Sequence, residues 1–112
     1  MQTLYSTLGK YFDVIAAASS VNTEKEVDFL RSVFDEYHVG SALDIACGTG
    51  RHSVALAEAG YDVVGIDYAD ELLKVACGKA DLANLSFVKQ DVAHIDLGRS
   101  FDAAICMWST FG

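Results

Sequence analysis

The 112-residue sequence predicts an α/β domain built on a doubly wound parallel sheet, and three observations lead there. From Ser41 onward, short apolar runs alternate with short helical stretches, the rhythm of parallel βα units. The runs are nearly continuous in apolar residues, as in strands covered on both faces. The first of them, "SALDIAC", passes directly into "GTG" and a helix, the kind of connection at which open parallel sheets bind ligands. Hydrophobic residues make up 52% of the chain against 21% charged, so it can bury a core and should not be disordered.

Residues 3–18 predict a moderately amphipathic helix with Leu4, Leu8, Tyr11 and Ile15 on one face, weakened by Gly9. "SSVN" breaks that pattern. Thr23 and Glu26 then form a capping box that opens a second helix, whose apolar face is Val27, Leu30, Val33, Phe34 and Tyr37 up to Gly40. After the strand in "SALDIAC", "RHSVALAEAG" is a helix closed by Gly60. "YDVVGID" is the second strand, "DELLKVACGKA" a helix, "NLSFVKQ" the third strand and "FDAAICMW" the fourth. The chain thus divides into an N-terminal helical segment, 1–38, and a sheet domain, 39–112. Between the third and fourth strands lies only "QDVAHIDLGRS", which when extended covers up to ~35 Å. Crossing two intervening strands needs only ~15 Å. The predicted strands therefore take the order 3-2-1-4, with a switch point between the first and fourth.

The net charge of -8 argues against a polyanionic partner such as nucleic acid. Cys47, Cys77 and Cys106 are isolated, and none has metal-ligand spacing with His38, His52 or His94, so no metal site is expected. They read as small residues kept reduced in a cytosol. "MQTLYSTLGKYFD" lacks the basic and apolar regions of a signal peptide, and Val14 to Thr23 is too short to span a bilayer. A soluble, cytoplasmic protein is expected.

The strand ends carry the functional signal. The first strand ends near Asp44, the second in Asp67 and the third beside Asp91, which places three acids on the rim where a ligand should sit. A lone loop Asp is most often a turn-former or helix cap; three beside a glycine turn are not explained that way. Gly48 and Gly50 let a ligand approach the backbone. Asp67, ~20 residues past the turn, suits a carboxylate gripping ribose hydroxyls, as in the dinucleotide fingerprint. Asp44 and Asp91 do not fit a dinucleotide, because like charges ~4 Å apart lose about 4 kcal/mol at an intermediate dielectric. Ser53 also stands where that fingerprint has its third glycine. A nucleoside that lacks phosphate and carries positive charge fits the rim better.

These residues resemble the class I S-adenosylmethionine-dependent methyltransferases, a family with a Rossmann-like sheet. "ALDIACGTGRHS" is similar to its first motif, "VVGIDYADELLKVA" to its second, "VKQDV" to its third and "FDAAICMWSTFG" to its fourth. Tyr11-Phe12-Asp13 loosely resembles the aromatic-Asp element that often precedes the core. The resemblance implies S-adenosyl-L-methionine as cofactor, S-adenosyl-L-homocysteine as product, and methyl transfer to a small-molecule acceptor. It implies that Asp44, with Ala46 and Cys47 beside it, orients the methionine end, and that Gly48 and Gly50 admit it. Arg51 would reach the cofactor carboxylate. Asp67 would bind the ribose and Tyr68 pack on the adenine. Gln90, Asp91 and Val92 would meet the adenine edge, and Met107 would line the pocket after the fourth strand. Where the family often caps the next helix with Ser or Thr, this chain has Ala69, and Asp70 is expected to cap instead.

The family continues past its fourth motif with elements that complete the sheet and supply much of the acceptor pocket, so the chain reads as a truncated half-domain. Its catalytic residues are then not nameable, and methyl transfer by this piece alone should be weak or absent. The fourth strand would become a sheet edge and is expected to self-associate. Two other readings stand beside this one: an NAD-dependent oxidoreductase, and a non-catalytic nucleoside-binding or interaction module.

Overall fold

The computed structural model describes residues 14–17, 23–91 and 94–106. Five strands, β1 (Val14–Ala17), β2 (Ser41–Ile45), β3 (Asp62–Asp67), β4 (Leu85–Lys89) and β5 (Ala103–Cys106), form one sheet in the order β1-β5-β2-β3-β4. All four pairings are parallel. Three helices are described: α1 (Thr23–Glu36), α2 (Arg51–Glu58) and α3 (Asp70–Lys79). The four strands expected from sequence thus lie in the predicted order 3-2-1-4, in a Rossmann-like arrangement.

The N-terminus departs from expectation. Residues 14–17 are a strand, not the end of a helix, and Ile15 pairs with Ala104 in register. The backbone groups along β5 offer a template for pairing, and β-branched Val14 and Ile15 suit an extended edge. These long-range hydrogen bonds outweigh a weak helical periodicity. β5 is consequently an interior strand, with β1 on one side and β2 on the other, so self-association through an open fourth strand loses its premise. The rest of the predicted first helix, and Tyr11-Phe12-Asp13, lie outside the described residues.

Helix α1 forms as the spacing of Val27, Leu30 and Phe34 predicts, burying that stripe against Leu56, Ala42 and Ile105. It ends before Gly40. His38 takes the left-handed conformation (φ 57), while the amide of Val39 donates to the Phe34 carbonyl and that of His38 to Asp35, a Schellman closure without glycine. Helix α2 ends the same way with Gly60 (φ 105) in that role, as its sequence predicts. The Asn84 side chain then caps the turn by donating to the carbonyls of Ala57 and Tyr61.

Strand alternation divides the core. Ala42, Val63, Ala103 and Ile105 face α1 and α2, whereas Leu43, Ile45, Val64, Ile66 and Ala104 pack with Phe101, Ile95 and Leu97. The connection between β4 and β5 therefore covers the second face of the sheet. Asp44 shares the period of Ala42 and so belongs to the α2 face, paired in register with Gly65 on β3 and Ile105 on β5.

Gly65 is required by packing. A Cβ there would lie 2.7 Å from Phe87 Cδ1 and 2.9 Å from Ser53 Oγ. Gly65→Ala should lower stability by about 1–3 kcal/mol through overpacking. Urea unfolding checks this, and an unchanged midpoint would mean that Phe87 and Ser53 move aside freely.

Candidate functional site

The turn from β2 into α2 is sharp, and three of its residues have positive φ: Ala46 (56), Gly48 (60) and Gly50 (80). For Ala46 that conformation costs on the order of 1 kcal/mol. The turn is held by amide bonds from Cys47 to the Ile66 carbonyl (2.9 Å) and from Gly50 to the Cys47 carbonyl (3.0 Å). The two glycines serve different ends. A Cβ on Gly50 would lie 2.8 Å from Phe87 Cζ, so this position admits the neighbouring core. A Cβ on Gly48 would meet nothing within 4 Å among the described residues. The space over Gly48 is open to a ligand.

The three acids share a rim but not an environment. Asp44 is 1% exposed, and its Oδ2 accepts a 2.6 Å hydrogen bond from the Ser53 hydroxyl. Burial pushes its carboxyl from 3.8 up to about 7, against the Ser53 hydroxyl and amide, which favour the ionised form; the Asp67 charge adds to the rise. Asp67, half-buried at the end of β3, accepts from the Gly48 amide through Oδ2 (2.8 Å) and from the Ala69 amide through Oδ1 (2.9 Å). An ionised carboxylate offers about four acceptor positions. Two of those on Asp67 are used within the chain, which leaves acceptor capacity for the hydroxyls of a ligand. Asp91 is exposed, two residues past the end of β4 and on the same rim, with its Oδ2 3.9 Å from His94 Nδ1.

The remaining expected site residues are placed less uniformly. Cys47 is buried in the turn, and burial, with Asp44 and Asp67 nearby, drives its thiol far above the usual range, so it is no nucleophile. Arg51 is exposed at the start of α2. Tyr68 is exposed, with Lys89 Nζ 5.5 Å from its ring centroid. The Gln90 side chain is committed to Asp96, donating to its carbonyl and accepting from its amide, while the Gln90 amide donates to the Asp67 carbonyl. Asp70 is the first residue of α3 and pairs with Lys89 rather than capping the helix; among the described residues no side chain caps it at Ala69. Val92 and Met107 lie outside the described residues.

Two site features were missed from sequence. Ser53, noted only as a missing glycine, is the partner of Asp44. Its spacing of nine residues from Asp44, across a strand-turn-helix, was the available signal. Glu26, read as half of a capping box, instead meets His52 on α2 through Oε1 at 3.1 Å.

With this geometry in view, comparison with known proteins is decisive. Residues 42–112 match the family model described as "Methyltransferase domain". The chain belongs to this family. Among curated relatives, the methyltransferase domain is 34% identical over 96 residues to a glycine/sarcosine N-methyltransferase of Parasynechococcus marenigrum, covering 82% of this chain and 34% of that protein. It is 31% identical over 105 residues to a dTDP-3-amino-3,4,6-trideoxy-alpha-D-glucopyranose N,N-dimethyltransferase of Streptomyces venezuelae, covering 94% of the chain and 40% of the relative. Among solved structures it superposes on a sugar N-methyltransferase from Streptoalloteichus with a TM-score of 0.70 and 32% identity, over 79% of this chain and 36% of the other. A magnesium protoporphyrin IX methyltransferase from Synechocystis, solved with bound SAH, gives 0.61 and 29%, over 75% and 39%. The chain spans between about a quarter and two fifths of the length of the curated relatives it matches.

The position of Asp44 predicts an unusual pH dependence. Its folded-state value of about 7 lies above the ordinary 3.8, so between those values the folded protein holds a proton that the unfolded chain has lost. The stability this group contributes is full below the unfolded value and is lost as pH rises toward about 7. Asp44→Asn removes that dependence. In urea titrations the stability of Asp44→Asn relative to the native protein should rise from about pH 5 to about pH 8. A constant difference would contradict the account.

Proposed function

We propose that this methyltransferase domain binds S-adenosylmethionine on the rim formed by the glycine turn, Asp44 and Asp67, and that the protein transfers the methyl group to a small-molecule acceptor, leaving S-adenosylhomocysteine. The observation that carries this reading is the hydrogen bond from the Gly48 amide to Asp67 Oδ2. In a dinucleotide site that amide would serve the pyrophosphate. Here it is already given to a carboxylate, whose negative charge disfavours a phosphate and favours a cationic nucleoside with free hydroxyls. The NAD-dependent reading is weakest at this point. Support also comes from the named functions of the relatives, which act on glycine, sarcosine and amino sugars.

The ligand, when bound, supplies a methyl group activated on a sulfonium. The chain's part is binding and orientation. Asp67 accepts from the ribose hydroxyls with its remaining acceptor positions, and the two amides that fix its oxygens hold it ready for them. Tyr68 offers an exposed ring for the adenine to pack on. Gly48 leaves space for the methionine end. Asp44, too deeply buried to touch the ligand, sets the turn through Ser53. In-line displacement needs alignment of acceptor and methyl, and positioning of this kind supplies most of the catalysis.

Asp67→Ala should weaken S-adenosylhomocysteine binding by about 1.5–3 kcal/mol, the loss of a charge-assisted hydrogen bond. Calorimetry on the full chain checks this, with NAD as the competitor. Unchanged affinity, or displacement by NAD, would remove the site from Asp67. Offering glycine and amino sugars and measuring S-adenosylhomocysteine release tests the acceptor class, which fails if none exceeds the acceptor-free rate.

A further inference from the structure

The first turn of α2 is clamped from two sides by buried acids. Consecutive residues carry the clamp. Ser53 is held by Asp44 from β2, and His52 by Glu26 from the first turn of α1. Both members of the second pair are buried, His52 at 4% and Glu26 at 3% exposure. Among the described residues, α1 also buries Val27, Leu30 and Phe34 in the core.

A buried polar pair is a poor way to gain stability. Apolar side chains of similar volume often do as well or better in such places. This pair is worse than most, because Glu26 Oε2 is buried with no hydrogen-bond partner among the described residues, a deficit with its own cost. Direction is what it adds. Apolar surfaces can slide and rotate against each other, whereas a hydrogen bond fixes one group relative to another. Gly50, the residue before α2, makes no side-chain cap of its own, and the turn it ends carries three positive-φ residues. The helix must therefore be held from elsewhere if the Gly48 amide and the space above it are to keep their geometry.

We propose that Glu26 is a positioning residue for the cofactor site, acting through His52 to fix the first turn of α2 and with it the glycine turn. This rests on the S-adenosyl reading of the site and goes beyond it in assigning a role to α1.

The test compares Glu26→Leu and Glu26→Gln in the full chain, reading S-adenosylhomocysteine affinity by calorimetry beside the thermal melting point. Glu26→Leu, which leaves the His52 Nε2 buried without its partner, should melt lower than the native protein and bind at least tenfold more weakly. Glu26→Gln, which keeps a hydrogen-bonding partner for His52, should stay within about threefold. The double variant Glu26→Met with His52→Leu, which replaces both partners with apolar side chains and leaves no unpaired polar group, should melt no lower than the native protein yet bind at least tenfold more weakly. A folded apolar variant that binds like the native protein, or a Gln variant that loses as much as the Leu variant, overturns the proposal. Failure of the native chain to bind S-adenosylhomocysteine would instead overturn the cofactor reading, and this inference with it.

Discussion

The hydrogen bond from the Ser53 hydroxyl to the Asp44 carboxylate, 2.6 Å long and buried, is the constraint around which the rest of the structure is arranged. It ties the penultimate residue of β2 to the first turn of α2, and the five residues between Asp44's strand and the helix must close that distance. They do so with Ala46, Gly48 and Gly50 at positive φ. Room for the pair comes from β3, where Gly65 stands opposite Asp44 and has no side chain to collide with Ser53. A serine where a dinucleotide site would have glycine is thus a requirement of the buried acid beneath it.

Three aspartates on one rim come to differ through environment alone. Asp44 is desolvated and hydrogen-bonded by Ser53, so it braces the turn from beneath. Asp67 is half-buried and fixed by two backbone amides, with acceptor positions to spare. Asp91 is exposed beyond β4, with His94 3.9 Å away. Burial gives one side-chain type three environments.

Legibility in the sequence followed the range of the interaction. Strand order was readable because the β4–β5 connection is short and because parallel sheets obey strong connection rules. The Gly60 helix stop was readable because its chemistry is local. The end of α1 was not, since His38, not Gly40, adopts the left-handed turn. Local patterns also misled where a distant partner competed. Glu26 has the spacing of a capping box but is taken by His52, 26 residues away. Asp70 stands where a cap is expected, yet pairs with Lys89. Ile15 sits on a helical period but joins β5, nearly ninety positions later in the chain. No window of local sequence contains those partners.

The central claim is that the carboxylate gripping the glycine turn is also the group that grips the ligand. It is tested most directly by an amide-resolved nuclear magnetic resonance titration of the full chain with S-adenosylhomocysteine. The amides of Gly48 and Ala69, which donate to the two oxygens of Asp67, should shift together and saturate on one binding curve, while NAD leaves both in place. Saturation by NAD instead, or binding of S-adenosylhomocysteine that leaves these two amides unmoved, would contradict the account.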